Sequence, residues 1–239
     1  MTPQLNEIWV YLSASPLLGL TVTLLAYQAA FWLYRRSGMN PLANPVLIAV
    51  TILVLLLTLT ATSYETYFAG AQFVHFLLGP ATVALAIPLY TQFRRVRSML
   101  LPVVAGLVAG SLTAALSAIA IARLFGASLP TQLSLAPKSV TTPIAMGIAE
   151  RIGGIPSLTA VLVIVTGILG AVGARYVLDA IKVRDPAIRG FAIGVAAHGI
   201  GTARAFQVSE QAGAFAALAM GLNGALTALL LPMLLGWMR

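Results

Sequence analysis

Apolar residues fill the chain in long runs, separated by short polar breaks that hold most of the Arg and many of the Pro and Gly residues. Residues 8–34, 46–61, 73–93, 100–122, 156–174 and 212–237 are rich in Leu, Val, Ala and Ile and lack the alternation of a membrane-spanning strand. A helix needs about 20 such residues to cross a bilayer, so the pattern predicts an all-α polytopic membrane protein of about six to eight segments. Arg35 and Arg36, then Arg94, Arg95 and Arg97, then the stretch from Arg175 to Arg189 form three basic breaks. Excess Lys and Arg mark cytoplasmic loops, which orients the chain. Residues 63–72 contain neither Lys nor Arg and are expected as a loop on the far side, with Glu65 a solvated acid. Trp9, Tyr11, Trp32 and Tyr34 lie near the ends of the first run, where interfacial aromatics gather.

Three regions interrupt the helical pattern. Residues 135–154, LAPKSVTTPIAMGIAERIGG, hold Pro137 and Pro143, each of which removes a backbone donor. Thr142 followed by Pro143 reads as an N-cap and a first helical residue, so a short helix opens there and aims its positive end toward Lys138. Ser139, Thr141 and Thr142 add hydroxyls, and the assembly has the chemistry of an anion site. The competing reading is a polar loop whose hydroxyls merely cap a helix in water. Residues 190–204, GFAIGVAAHGIGTAR, carry four glycines and predict a broken or half helix around His198, Gly199, Gly201, Thr202 and Arg204. Gly79 and Pro80 break the third run beside Thr82, with His75 upstream and Pro88 beyond; an ordinary proline kink explains that region as well. In the fourth run Gly106, Gly110, Ala114 and Ala118 line one face and admit a close helix neighbour.

Composition agrees with this picture and narrows the functions. The 239 residues are 59% hydrophobic and 8% charged, with a mean hydropathy of +0.95. Soluble domains carry about 25% charged residues. The net charge of +8 is spread over interhelical loops, as topology requires, so no nucleic-acid partner is implied. Cysteine is absent, which excludes thiol chemistry. No Lys or Arg precedes Arg35, so the first run is expected as a retained span rather than a cleaved leader. Two His and six scattered acids offer no metal-ligand cluster, no nucleophile–base spacing stands out, and no phosphate-binding Gly-Lys-Ser/Thr loop occurs. The expectation is a protein that is not an enzyme and holds no metal or other cofactor.

Displacing the chain against itself by 57 residues aligns Pro80 with Pro137, Thr82 with Ser139, Arg94 with Arg151 and Gly110 with Gly167. Loop charge orients the spans that follow Arg97 and precede Arg175 in opposite senses. An inverted repeat is therefore expected in a single membrane domain, with units near 46–124 and 125–239. Secondary transporters place their sites where interrupted helices of such repeats meet.

The string Pro137-Lys138-Ser139-Val140-Thr141-Thr142-Pro143-Ile144-Ala145-Met146, with Ile152-Gly153-Gly154-Ile155-Pro156 and His198-Gly199-Ile200-Gly201-Thr202-Ala203-Arg204, resembles the LrgB/CidB family over nearly the whole chain. Gly167-Ile168-Leu169-Gly170-Ala171-Val172 and Pro80-Ala81-Thr82-Val83-Ala84-Leu85-Ala86 fit the same pattern. The resemblance implies a multi-pass protein of the bacterial cytoplasmic (inner) membrane. It also implies two roles: an antiholin-like one beside a small LrgA/CidA-type partner, controlling murein hydrolase export, and, through plastidic glycolate/glycerate translocators, export of small hydroxy-carboxylates.

The residues support a secondary transporter of small monocarboxylates (glycolate, glycerate, lactate or pyruvate). Lys138, Ser139, Thr141, Thr142, Thr202, Arg204 and Thr82 are the candidate substrate contacts. A carboxylate needs donors and positive potential, and a guanidinium can hold it through two bonds. His198 and Glu150 are the candidate proton carriers, since titratable groups inside a membrane are functional candidates by default. Both cations also suit headgroup snorkelling, and His198 suits simple packing. The alternative is a holin- or antiholin-like protein acting through a small partner or a homo-oligomer.

Overall fold

The structure, a computed structural model, describes residues 16–235. The first expected span begins before that range, so Trp9 and Tyr11 lie outside the described residues, as does Trp237 at the other end. Everything described is helix, turn or coil, which makes the protein all-α and polytopic. Four helices are long and apolar enough to cross a membrane: 17–36, Leu100–Leu124, Pro156–Ala180 and Glu210–Leu235. The chain divides into two compact units, one ending at Ala84 and one beginning at Leu85.

In the first unit, α1 (Pro16–Arg36) packs against α2 (Pro45–Leu59) and α3 (Tyr64–Phe76). Asn44 caps α2 by accepting from the N–H groups of Val46 and Leu47, and Pro45 fills the first helical position. The α1–α3 contact is close: a Cβ on Gly19 would lie 2.5 Å from the Tyr67 carbonyl oxygen, and the Thr23 and Tyr67 hydroxyls meet at 2.7 Å. Residues 63–72, expected as a loop, are instead mostly the first turns of α3. Ser63 Oγ accepts from the Thr66 N–H, and Tyr64 stacks on Phe68 one turn on. Absence of Lys and Arg bears on which side a segment faces, not on whether it is helical. After Leu77, α4 (Leu78–Ala84) closes the unit, so Gly79 and Pro80 lie just inside a new helix and the interruption comes before them.

The second unit opens with α5 (Ala86–Thr91) and α6 (Phe93–Ser98), then α7 (Leu100–Leu124), α8 (Leu129–Leu135), α9 (Thr142–Ile152), α10 (Pro156–Ala180), α11 (Pro186–Val208) and α12 (Glu210–Leu235). At about 1.5 Å per residue, α7, α10 and α12 each exceed the hydrocarbon thickness of about 30 Å. The basic stretch 175–189, expected as a loop, is helix except for the turn around 181–185. Two of the expected cytoplasmic breaks meet in space, because the Arg95 guanidinium donates to the Asp185 carboxylate.

α11 is two helices, not one. His198 has φ 40° and ψ −134°, far from helical values, and the chain reverses there. A Cβ on Gly201 would sit 2.8 Å from Ile193 Cγ2, whereas residues eight apart in a continuous helix are separated by about 12 Å. Arg189 and Arg204 line one cavity together, as do Pro186 and Val208. Residues 186–197 and 199–208 are thus the arms of a hairpin with His198 at its tip. Glycine makes the packing possible: Cβ atoms on Gly190 and Gly194 would fall 2.0 and 2.2 Å from the carbonyl oxygens of Ala212 and Ala216 on α12.

The segment from α8 to α9 makes a second excursion, from the opposite face. Ser134, near the end of α8, accepts from the Ile155 N–H at 2.7 Å, and its carbonyl accepts from Thr159 Oγ1 at 3.1 Å, both close to the start of α10. Between these anchors residues 136–141 run deeper and turn, and α9 returns. Ala145, Ile148, Ala149 and Ile152 recur at helical spacing and are buried, fixing the inward face of α9. Gly153 ends it with φ 89° and the Gly154 N–H bonded back to Ala149.

Candidate functional site

The two excursions meet at the middle of the long helices. Asn223, halfway along α12 and 1% exposed, donates through Nδ2 to the Ser139 carbonyl (3.2 Å) and to the Val195 carbonyl (3.1 Å). Val195 O would serve residue 199 in a continuous helix; the reversal at His198 releases it, and Asn223 supplies the missing donor. An unpaired carbonyl in hydrocarbon costs on the order of several kcal/mol, so an amide at this position is what permits the break. Thr227 Oγ1 donates to Asn223 Oδ1 (3.4 Å), and Ser111 on α7 meets Thr227 at 3.2 Å. A buried polar chain therefore crosses from α7 through α12 to both tips.

The tip of the hairpin is pinned separately. The His198 ring is buried and its Nε2–H donates to the Val163 carbonyl on α10 at 3.0 Å. Thr202 Oγ1 donates to His198 O at 2.7 Å and is itself buried. Positive φ in a residue with a β-carbon costs about 1–3 kcal/mol and persists only where surroundings hold it. Here Val163 and the tight approach of Gly167 to the ring provide the hold.

Each expected site residue can now be located. Ser139 is buried and its hydroxyl lies 3.4 Å from Lys138 Nζ; Lys138 is half-buried in the same turn. Thr141 occupies the N-cap position and Thr142 opens α9, one residue earlier than the sequence suggested, with Pro143 second; no Thr141 side-chain cap bond forms. Pro137 lies in the turn itself and is fully buried. Gly199 and Gly201 follow directly on the reversal, so the break falls at the histidine beside them. The N-termini of α9 and of the returning arm both begin at this depth. Ser139 is joined to the crossing through its carbonyl, with Lys138, Thr141 and Thr142 within three residues of it along the chain, while Thr202 lies one turn beyond His198 on the returning arm.

Other candidates lie elsewhere. Arg204 is half-buried at the hairpin base, donating to Gln207 Oε1 at 3.3 Å, and lines a cavity with Arg175, Asp179, Arg184 and Arg189. Glu150 is exposed in the last turn of α9, at the far end from Thr142. Thr82 lies in α4, in the first unit, and its side chain is outside the described part, as is that of His75. Among the described residues no group of His, Asp and Glu is placed to hold a metal ion.

Sequence reasoning passed over Asn223, Thr227 and Ser111. The available signal was an amide in the middle of an apolar run, GLNGALTALLL, since a polar side chain inside a membrane is costly unless it has a partner to serve.

Comparison with known proteins adds the following. The model of the LrgB-like family matches residues 23–237. Among similar proteins, "Uncharacterized protein YwbG" of Bacillus subtilis is 36% identical over 93% of this chain and 98% of its own. "Uncharacterized protein YxaC" of the same organism is 36% identical over 84% and 87%. "Antiholin-like protein LrgB" of Bacillus cereus is 31% identical over 92% and 95%. No solved structure matches the chain.

Proposed function

The chain belongs to the LrgB-like family, and from that premise we propose that it is a carrier of small monocarboxylates in the bacterial cytoplasmic membrane. The observation that supports this reading is the meeting of two re-entrant tips at Asn223, at mid-depth of α7, α10 and α12. Carriers use interrupted helices in this way: helix N-termini offer unpaired N–H groups and positive potential to an anionic group. The carboxylate would lie against the opening turn of α9, with the Lys138 ammonium as counter-charge. The hydroxyls of Ser139, Thr141, Thr142 and Thr202 would meet a second oxygen of the substrate. Asn223 acts on the backbone, keeping both tips in place, and need not touch the anion. His198 serves as a positioning residue through its bond to Val163.

A repeat at the same 57-residue register, with other bounds than the expected 46–124 and 125–239, would suit this reading. α7 followed by the excursion from one face, and α10 followed by the hairpin from the other, would be its two halves, with Gly110 against Val195 and Gly167 against His198 in matching roles.

A second reading rests on the relatives. The name of the Bacillus cereus relative favours an antiholin-like membrane protein. On that reading the chain would act with a small partner or as a homo-oligomer to control permeability and hydrolase export. Proteoliposomes separate the two. The carrier predicts saturable uptake of labelled glycolate or pyruvate without dye leakage, reduced at least tenfold in Lys138→Ala and in Asn223→Leu. Dye leakage without saturable uptake favours the antiholin-like reading instead.

A further inference from the structure

Three side-chain oxygens converge where α7 meets α12. Ser111 lies halfway along α7, and Asn223 and Thr227 stand one turn apart on α12. All three residues are buried, at 8%, 1% and 5% exposure. The Asn223 amide is oriented by its neighbours. Both Nδ2 hydrogens go to carbonyls, those of Ser139 and Val195, so Oδ1 turns the other way, toward Thr227.

The spacing of these oxygens sets them apart from the other hydroxyl pairs among the described residues. Thr23 with Tyr67, Thr60 with Thr62, Ser63 with Thr66 and Ser128 with Thr131 meet at 2.7–3.0 Å. The usual length for such bonds is about 2.7–2.8 Å. Ser111 Oγ lies 3.2 Å from Thr227 Oγ1, and Thr227 Oγ1 lies 3.4 Å from Asn223 Oδ1. Thr23, Thr51, Thr58 and Thr159 each donate to the carbonyl four residues back in their own helices. Ser111 and Thr227 do not; their hydroxyls face one another and the amide oxygen instead. Around a cation of calcium's size oxygens bind at about 2.3–2.6 Å, so neighbouring ligands at right angles lie about 3.2–3.7 Å apart. The cluster has the spacing of such a shell rather than that of a hydrogen-bonded chain of ordinary length.

We propose that Ser111, Asn223 and Thr227 form a sodium-ion site between α7 and α12. Sodium is close to calcium in size, and a single charge can be held by neutral oxygens, as carbonyl-lined filters hold monovalent cations. A divalent ion calls for carboxylates, and none of the three ligands is one. Potassium is larger and needs its ligands farther apart. Hydroxyls rotate to present their lone pairs, and three protein oxygens leave positions for water. An ion on Oδ1 polarises the amide and strengthens its donation to the Ser139 and Val195 carbonyls. Bound sodium would therefore tie α7 to α12 and firm the hold of Asn223 on both tips.

The test is thermal unfolding of the full chain in neutral detergent, in sodium, potassium and choline chloride at equal ionic strength and without any carboxylate substrate. Sodium should raise the midpoint by about 3 °C or more over both other salts, as expected for an ion at about ten times its dissociation constant. Ser111→Ala and Thr227→Val should each lose the difference. Thr227→Ser, which keeps the oxygen, should retain it, as should Thr51→Val on α2. Equal midpoints in sodium and potassium overturn the site, as does a sodium shift that survives in both Ser111→Ala and Thr227→Val. Should those variants not fold, binding of radioactive sodium to the wild type and to Ser111→Cys decides. The near-isosteric thiol replaces a hard oxygen with a soft sulfur, which suits sodium poorly. Affinity lowered at least tenfold in Ser111→Cys supports the site; unchanged affinity, or no binding displaceable by sodium in preference to potassium, overturns it. Since no carboxylate is present, a failure of monocarboxylate uptake leaves this result standing, and the two readings fail separately.

Discussion

Residues 129–152 and 186–208 both run to the middle of the long helices and turn back, but their turns are built from different materials. The first uses Pro137 and a run of hydroxyl residues, and it is anchored at its mouth by Ser134, whose side chain and carbonyl both bond to the start of α10. The second uses glycine along its arms and a strained histidine at its tip. The first is fastened by hydrogen bonds at its base and packing along α9. The second is fastened by backbone approach against α12 and by one imidazole. Water cannot satisfy broken backbone at this depth, so each device must supply its own partners. Asn223 is where the two solutions share one side chain.

The contrast predicts different failures. Gly194→Val should have the largest effect, because its Cβ would fall 2.2 Å from the Ala216 carbonyl oxygen and backbone cannot move aside cheaply. Overpacking costs about 1–3 kcal/mol or more, and here it should abolish the folded hairpin, read as loss of a monodisperse peak in size-exclusion chromatography. Ser134→Ala comes next: the Ile155 N–H, in a part-buried bond, loses its acceptor on a fully buried side chain, at up to about 1–3 kcal/mol for the donor left unpaired. Its thermal midpoint should drop while the hairpin stays intact. An equal loss of stability in both variants would mean that the two excursions are not fastened as described.

His198→Gly should have the smallest effect on stability. Relief of about 1–3 kcal/mol of backbone strain offsets a hydrogen bond worth about 1 kcal/mol. The tip should nevertheless loosen, seen as faster amide exchange at residues 199–202 with a midpoint close to wild type. A large fall in midpoint would show that the bond to Val163 outweighs the strain.

Much of this was legible in the sequence because breaks in an apolar pattern are hard to disguise. Pro137 and Pro143 marked the first tip, and four glycines in 190–204 marked the second. That the second break is a complete reversal was not legible. It depends on φ at a single histidine, which local composition does not encode, and on which glycines face a neighbouring carbonyl. Asn223 was missed because an amide contributes no charge and little to hydropathy, so a pattern reading sees only an uninterrupted span. Arg204 was grouped with Thr202 by proximity in sequence. On the returning arm, though, a few residues lead from the tip most of the way back to the basic face, and there it joins Arg184 and Arg189.

Because the chain contains no cysteine, single thiols can be placed without background. Ser139→Cys and Gly199→Cys set one on each tip, and their rates of maleimide labelling in membranes, with and without saturating pyruvate or glycolate, address the shared pocket. Slow labelling at both positions, slowed further in parallel by the same carboxylate, is the predicted result. Fast labelling of each position from opposite sides, indifferent to any carboxylate, would contradict it.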